Sequence, residues 1–262
     1  MKWILVAALF GAYVNFAAAA ESKIVTAESP TITALEKKWH FTIIKRFPTR
    51  EPGLTGYVIK TSEGQKRLLF GMGAYVLLGP LFDADGNNAT EAFATAELPR
   101  PDFAAAGKTL SVDPNLVSEG RVGAPEIFVF ADPNCIFCHQ FWQETRDWVK
   151  AGKLRIHWVM VGFLKESSAG KAAAMMAAKD GANAIAQDEM RFDKEQEEGA
   201  IKPLDPIPDD LKKALSRHSK MMAELGFSGT PSILFRDQAG IWQGKMGVPK
   251  KDDLPNALGF KP

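Results

Sequence analysis

The chain has 262 residues, with 32 Lys and Arg against 31 Asp and Glu, so its formal charge at pH 7 is +1. This balance leaves no field of one sign that could hold nucleic acid or a membrane surface, and we expect neither as a partner. The chain has only two cysteines, which excludes a framework of structural disulfides.

The first twenty residues have the pattern of an export signal. Lys2 gives a positive start, residues 4–16 are mostly apolar, and Ala18 and Ala20 form an Ala-x-Ala cleavage site before Glu21. No later stretch reaches the about 18 apolar residues that a membrane span needs. We therefore predict that residues 1–20 are a cleaved signal peptide and that the mature protein works where disulfides form.

The first predicted domain, residues 21–88, is a small α+β unit that is mainly antiparallel sheet. A short helix is expected over 33–39, and turn residues such as Pro52-Gly53 separate the apolar runs that follow it. A cluster of turn residues closes the domain. The predicted strands cover 41–47, 57–59, 68–70 and 74–82.

Residues 89–120 are predicted to form a linker. The segment is Ala-rich and helix-prone, but Pro99 and Pro101 interrupt it, so we expect one or two short helices. Because a mature chain of about 240 residues is long for one small domain, a second domain is expected to follow.

The second predicted domain, residues 121–262, is an α/β unit. An apolar strand over 127–130, an amphipathic helix after Cys135 and a strand over 154–163 make a βαβ unit, whose two strands should run parallel. The elements expected after it are helices over 168–179, 184–198 and 209–225, strands over 232–236 and 241–246, and a closing helix from about residue 250.

The two cysteines, Cys135 and Cys138, form a lone Cys-x-x-Cys motif at the start of the predicted helix, which is typical of a redox-active dithiol. At the first turn of a helix, unsatisfied N–H groups and the positive end of the helix dipole stabilise a thiolate. The thiolate is the form that attacks disulfides, so Cys135 is the expected catalytic nucleophile. Cys138 is the expected resolving thiol, which releases a trapped substrate by forming an internal disulfide.

The predicted elements follow one another in the order of a thioredoxin fold. This order is a strand, the dithiol, a helix, a strand, a helical insertion over about 165–226, and Gly229-Thr230-Pro231 before a further strand. Pro231 stands at the first residue of that strand, where a missing N–H is tolerated. In the thioredoxin fold the matching proline is cis and lies against the dithiol, which implies a cis Thr230–Pro231 bond. The same resemblance implies that Thr230 and Pro231 bind the substrate backbone beside the dithiol.

The motif Phe-Ala-Asp-Pro-x-Cys-x-x-Cys-x-x-Phe-Trp over 130–142, with the export signal, the preceding sheet and the helical insertion, resembles the periplasmic DsbC/DsbG family, and DsbG-type members most closely. The resemblance implies a periplasmic, V-shaped homodimer held by the N-terminal domains. It also implies a membrane thiol reductase of the DsbD type that keeps the dithiol reduced. Substrates would be exported proteins with non-native disulfides or with cysteines oxidised to sulfenic acid. The reaction needs no metal or organic cofactor, because electrons move between sulfurs.

Two features depart from the family pattern. The dipeptide between the cysteines is Ile136-Phe137, where family members commonly have Pro-Tyr or Gly-Tyr. An apolar pair offers the thiolate neither a hydrogen bond nor a charge, so the redox poise of the family does not carry over. Pro99 and Pro101 also argue against one long linker helix.

Other functions remain open on the sequence alone. A dithiol oxidase would use the same fold and sulfurs, and a non-enzymatic chaperone would use the cleft of the dimer. Cys135, Cys138 and His139 also satisfy Cys-x-x-Cys-His, the pattern of c-type haem attachment, although a strand and an amphipathic helix surround it. A closed zinc site is less favoured, because there is no second cysteine pair.

Several polar residues have two interpretations each. His139 lies four residues after Cys135 and either adds positive charge or relays a proton there, or is an exposed residue of the first helical turn. Asp132 either accepts a proton near the buried sulfur or forms the turn before Pro133. His40, His157 and His218 show no acidic or nucleophilic partner in the sequence and are interpreted as incidental.

Overall fold

The computed structural model describes residues 30–62 and 64–260 of the chain, so the predicted signal peptide lies outside the described residues. The N-terminal part begins with a helix and continues as an antiparallel sheet, in which strands that follow one another in the chain are neighbours. Pro52 and Gly53 separate its first two strands, as predicted. The elements are α1 (Pro30–Trp39), β1 (Thr42–Pro48), β2 (Leu54–Lys60), β3 (Lys66–Met72) and β4 (Tyr75–Leu77).

The N-terminal sheet carries a small cluster of buried apolar side chains on each face. Ile32 of α1 covers Tyr57 and Leu69 on one face, while Phe47 and Phe70 form a second small cluster on the other. The fourth strand is shorter than the predicted run over 74–82. It ends before Gly79, whose φ is 144°, and before Pro80, which has no N–H to continue a ladder.

Two short helices follow, as expected from the prolines between them: α2 (Ala89–Glu97) and α3 (Phe103–Leu110). Asn88 and Asp102 cap them by accepting backbone N–H groups of the first turn. Helix α3 does not stand apart as a linker helix would. Its buried residue Leu110 belongs to the core of the second sheet, and Gly107 lies so close to the Trp242 indole that a Cβ would not fit.

After α3 the chain forms a second sheet and the helices around it. The elements are β5 (Val117–Glu119), β6 (Glu126–Ala131), α4 (Ile136–Lys150), β7 (Arg155–Met160), α5 (Ser168–Ala177), α6 (Gly181–Met190), α7 (Asp209–Glu224), β8 (Ser232–Arg236), β9 (Trp242–Met246), a 3-10 turn (Lys251–Asp253) and α8 (Leu254–Ala257). The sheet has five strands in the order β5-β7-β6-β8-β9. Strands β6 and β7 are parallel and are connected by helix α4, whereas the other neighbours are antiparallel.

Two differences from the predicted elements matter for the site. Strand β5 was not predicted, because three residues are too few for an apolar alternation to show; it pairs antiparallel with β7. The helix expected over 184–198 ends at Met190. The chain then turns back on itself, with the backbone groups of Asp193 and Glu198 bonded to each other at 2.8 and 2.9 Å.

Apolar side chains alternate along β6 and fill both sides of the second sheet. Ile127 and Val129 face the core under α4 and α5, while Phe128 and Phe130 face α3 and α7. The carboxyl ends of β6 and β7 lead into the dithiol loop and the helical insertion. Apolar side chains pack on both faces of the sheet there and hold these two strand ends in place. Among the described residues, no helix is long and apolar enough to cross a bilayer.

Candidate active site

Cys135 is the N-cap of α4. Strand β6 ends at Ala131, a three-residue loop follows, and Cys135 takes an extended backbone with φ −91° and ψ 112°. Its Sγ accepts the backbone N–H of Cys138 at 3.3 Å, as a capping side chain does. The sulfur therefore lies at the positive end of a fifteen-residue helix, where a thiolate is stabilised.

The predicted site residues Cys135, Cys138, Thr230 and Pro231 lie close together in the structure. The Cys135 thiol donates to the backbone carbonyl of Thr230 at 3.3 Å, although 95 residues separate the two in the chain. The Thr230–Pro231 bond is cis, as expected, and β8 begins at the next residue. Cys138 lies one turn into α4 and is buried in the core beneath the helix.

The two thiols have opposite environments. The side chain of Cys138 and, to a lesser extent, the side chain of Thr230 lower the pKa of Cys135 to about 7 by hydrogen bonding, against the opposing effect of burial. Burial raises the pKa of Cys138 well above its ordinary value, and the neighbouring Cys135 sulfur raises it as well. At neutral pH the dithiol can therefore hold a thiolate on Cys135 and a proton on Cys138.

Asp132 shapes the loop before the dithiol. Its Oδ1 accepts the Asn134 N–H at 3.0 Å and the Ser168 hydroxyl at 2.7 Å. Its Oδ2 accepts the N–H groups of Phe163 and Leu164 at 2.8 and 3.0 Å. Because both carboxylate oxygens are used in this way, the structure favours the turn-forming interpretation of Asp132 over a proton-accepting one.

Asn134 connects the dithiol loop to the helical insertion. Its amide nitrogen donates to the hydroxyls of Ser167 and Ser168 at 3.0 and 2.9 Å. Its oxygen accepts from the Lys171 ammonium at 3.0 Å and from the Gly199 N–H at 3.1 Å. Two N–H donors and two lone pairs are all that a carboxamide offers, so this buried side chain is fully bonded.

His139 is buried, so the expectation that it is an exposed first-turn residue was wrong. Its Nδ1 lies 2.8 Å from Glu189 Oε2, and its ring stacks on Phe192 with 4.6 Å between centroids. Burial raises the pKa of Glu189, while the hydrogen bond with His139 opposes that rise. The insertion thus covers the first turn of α4 with a polar pair.

Two of the other histidines also have partners that the sequence did not show. His218 contacts the Met160 carbonyl at 2.8 Å and Asp113 Oδ2 at 3.2 Å. His157 contacts the Ser118 hydroxyl at 2.7 Å. These partners come from elements distant in sequence, so spacing gave no signal for them. The burial of Lys171 could have been predicted from the sequence. Lys171 lies four residues before Met175 on α5, and residues at this spacing share one face of a helix.

Comparisons with known proteins agree with this geometry. The family model described as a thioredoxin-like domain matches residues 120–259. The thiol:disulfide interchange protein DsbG of Pseudomonas aeruginosa is 34% identical over 214 residues, which cover 79% of this chain and 80% of that protein. The protein of the same name from Escherichia coli is 31% identical over 237 residues and covers 88% of this chain and 91% of its own.

Among solved structures, Proteus mirabilis ScsC in a compact conformation is 18% identical with a TM-score of 0.49, covering 65% of this chain and 84% of its own. The two curated relatives match most of their own length as well as most of this chain. The dithiol at the start of α4 and the cis-proline beside it lie within the region that the thioredoxin-like model covers. The chain therefore belongs to the DsbC/DsbG family of thiol:disulfide interchange proteins.

Proposed function

We propose that Cys135 is the nucleophile and Cys138 the resolving thiol of an exported enzyme that reduces or isomerises disulfides of periplasmic proteins. The observation that carries this assignment is the difference between the two sulfurs. Cys135 lies between the Cys138 N–H and the Thr230 carbonyl, each at 3.3 Å, with a pKa of about 7. Cys138 is buried beneath the helix with a raised pKa, so it is protonated when Cys135 is ready to attack.

The reaction begins when the Cys135 thiolate attacks one sulfur of a substrate disulfide. A mixed disulfide forms, and the other substrate sulfur leaves as a thiolate. Cys138 then loses its proton and attacks Cys135, which closes the internal disulfide and releases the second substrate thiolate. The substrate gains two electrons and, on protonation, two protons. The dithiol loses the same two electrons and becomes the internal disulfide.

Isomerisation and the reduction of sulfenic acids use the same first sulfur. In isomerisation, a second substrate thiolate attacks the mixed disulfide, and Cys135 leaves reduced. With a sulfenic acid, Cys135 displaces the hydroxyl group as water to give a mixed disulfide, which Cys138 resolves. After each net reduction the internal disulfide needs two electrons, and we assign their delivery to a membrane thiol reductase of the DsbD type.

Thr230 and Pro231 are proposed to hold the backbone of the substrate. The substrate sulfur bonded to Cys135 lies within about 5 Å of the Thr230 carbonyl oxygen, because an S–S bond is about 2 Å long and Cys135 Sγ lies 3.3 Å from that oxygen. The Pro231 carbonyl accepts the Gly247 N–H at 2.8 Å, so the segment on that side is tied to β9. This support favours a fixed docking edge beside the thiolate.

The N-terminal domain, residues 21–88, is proposed to form a homodimer, which would place two dithiols across one cleft. Among the described residues, its sheet has unpaired outer strands in β1 and β4. Large apolar side chains are exposed around it: Trp39, Met72, Tyr75, Leu78 and Phe82.

The linker between the domains is proposed to be shorter than the predicted 89–120. Because α3 packs on the second sheet, we place the start of the second domain near Phe103 and the end of the linker just before it.

The direct test is the alkylation of the reduced protein as a function of pH, with the modified cysteine located by mass spectrometry. We expect Cys135 to react first, at half of its maximal rate near pH 7. Cys138→Ala should move that midpoint upward, because alanine cannot make the side-chain hydrogen bond that lowers the pKa of Cys135. If the first cysteine to react is Cys138, the two roles are assigned the wrong way round.

A further inference from the structure

A single buried cation of the helical insertion, Lys171 on α5, reaches the dithiol loop. Only 4% of its side chain is exposed. Its ammonium contacts Asn134 Oδ1 at 3.0 Å, Glu198 Oε1 at 2.7 Å and the Gly199 carbonyl at 2.6 Å. Three acceptors use all three N–H groups of a lysine, so the position of the charge is fixed.

The ion pair between Lys171 and Glu198 is asymmetric. The Glu198 side chain is 42% exposed, whereas that of Lys171 is almost fully buried. Water screens the charge of the carboxylate much more than the charge of the ammonium. The side of the pair that faces the protein interior is therefore positive, even though the pair as a whole is neutral.

This positive side points along Asn134, the residue that directly precedes Cys135. Consecutive Cα atoms are about 3.8 Å apart, so Lys171 Nζ and Cys135 Sγ are separated by at most about 13 Å. At such a distance in a protein interior, a unit charge still affects the equilibrium between a thiol and its thiolate.

We propose that Lys171 is a positioning residue for the exchange reaction: its ammonium, held on Asn134, stabilises the Cys135 thiolate, and Glu198 limits that stabilisation. This inference rests on the proposed function, because it takes Cys135 as the nucleophile. Lys171 touches neither sulfur in this scheme. It acts through Asn134 and through its electric field.

Titratable and charged groups face the same region from each packed element. They are Asp132 on the loop, His139 on α4, Lys165 before α5, Asp188 and Glu189 on α6, and Glu198 after it. Burial raises the pKa of Asp188 to about 7, and Lys171 opposes that rise. Asp188 therefore adds a negative charge only toward the upper part of the pH range in which Cys135 titrates.

The test compares Lys171→Met and Glu198→Gln in the full mature protein by the pH dependence of Cys135 alkylation. Loss of the cation should raise the midpoint by about half a pH unit, which is roughly a threefold loss of thiolate below the pKa. Loss of the anion should lower the midpoint by a smaller amount, because water screens the 42% exposed carboxylate more than the buried ammonium. A purely structural role gives no reason for two shifts of opposite sign.

The matched controls are Lys212→Met and Asp209→Asn. These two residues form a lysine–carboxylate pair at 3.3 Å on α7, with 56% and 87% of their side chains exposed. Neither substitution should move the midpoint, because exposed charges are screened by solvent. Thermal unfolding of every variant separates a change of stability from a change of the thiol.

Opposite shifts of the two variants support the proposal, while unchanged midpoints or shifts of the same sign overturn it. If Lys171→Met does not fold, Glu198→Gln decides alone: a lower midpoint supports the proposal, and an unchanged or higher one overturns it. Alkylation that begins at Cys138 would instead overturn the proposed function itself. A reactive Cys135 with an unshifted midpoint would overturn only the role of Lys171.

Discussion

The two sheets of the molecule differ in where they place polar side chains. Among the described residues, the buried polar and charged side chains all lie at or beyond Glu119, in the five-stranded sheet and its helical insertion. The N-terminal sheet buries apolar side chains in two small clusters. It also exposes large ones, including Tyr75 at 73% and Phe82 at 63%.

This difference indicates a division of work between the two sheets. Burying a polar group costs free energy unless it is hydrogen-bonded, so a protein accumulates such groups only where their positions matter. In the second sheet they surround the dithiol loop, as Asp132, Asn134 and Lys171 show. Large apolar side chains are exposed in the second region as well, but those of the first sheet include Tyr75 on the outer strand β4, an edge to which a second copy can add. We therefore expect chemistry to depend on one region and assembly on the other.

The largest effect that the comparison predicts is at the two sulfurs. Cys135→Ser should abolish disulfide exchange, with a loss of about a thousandfold or more, because serine cannot supply the thiolate. Cys138→Ser should retain the first step and accumulate mixed disulfides with exported proteins, since the resolving thiol is missing. Non-reducing gels of the two variants after expression in export-competent cells provide the measurement. Equal trapping by both variants contradicts the two-step scheme.

The next largest effect concerns assembly. The mature protein should be a dimer by light scattering, whereas a fragment of residues 99–262 should be a monomer that still reduces small disulfides. A fragment of residues 120–262 serves as the comparison, because it lacks Leu110, which is fully buried against the second sheet. Truncating one such side chain costs about 2–5 kcal/mol, so the shorter fragment should be clearly less stable. A monomeric mature protein would remove the cleft from the proposed function.

The contrast between the sheets also explains what the sequence could predict. In the N-terminal sheet, apolar runs alternate with turn residues, and the resulting strands and leading helix were predicted from local pattern alone. The same holds for β6, α4 and β8, and for the dithiol at the helix start. Each of these elements is specified by neighbours within a few residues, which is the range that periodicity and turn chemistry cover.

The polar network around the dithiol could not be found in this way. The partners of Asn134 on the insertion lie 33 to 65 residues away in the sequence. The carboxylate that contacts His139 lies 50 residues away. Such contacts depend on how helices of the insertion fold back over the loop, and no spacing rule connects them. The family motif placed the sulfurs and the resemblance to the thioredoxin fold placed the cis-proline, but neither gave a role to Lys171, Asp188 or Glu189.

The smallest predicted effect is on the pH dependence of stability, and it comes from the buried carboxyl group of Asp188. The described part of the first sheet has no buried carboxyl group of this kind. Asp188 is fully buried, and burial raises its pKa to about 7 from an ordinary 3.8. A raised pKa of the folded state adds stability below the ordinary pKa, and this stability is lost as the pH rises toward 7 and beyond. Asparagine does not ionise, so Asp188→Asn should remove this dependence.

Between pH 5 and pH 8 the wild-type protein should therefore lose about 2 kcal/mol of unfolding free energy that the Asp188→Asn variant retains. Urea unfolding of both proteins at the two pH values measures the difference, and Asp209→Asn, whose side chain is 87% exposed, is the control that should behave like the wild type. The Ile201 N–H, which donates to Asp188 Oδ1 at 2.7 Å, keeps an acceptor in the asparagine variant. An identical pH dependence in all three proteins would show that Asp188 ionises as an exposed carboxyl does. The second sheet would then bury its polar groups without the electrostatic cost that we assign to it.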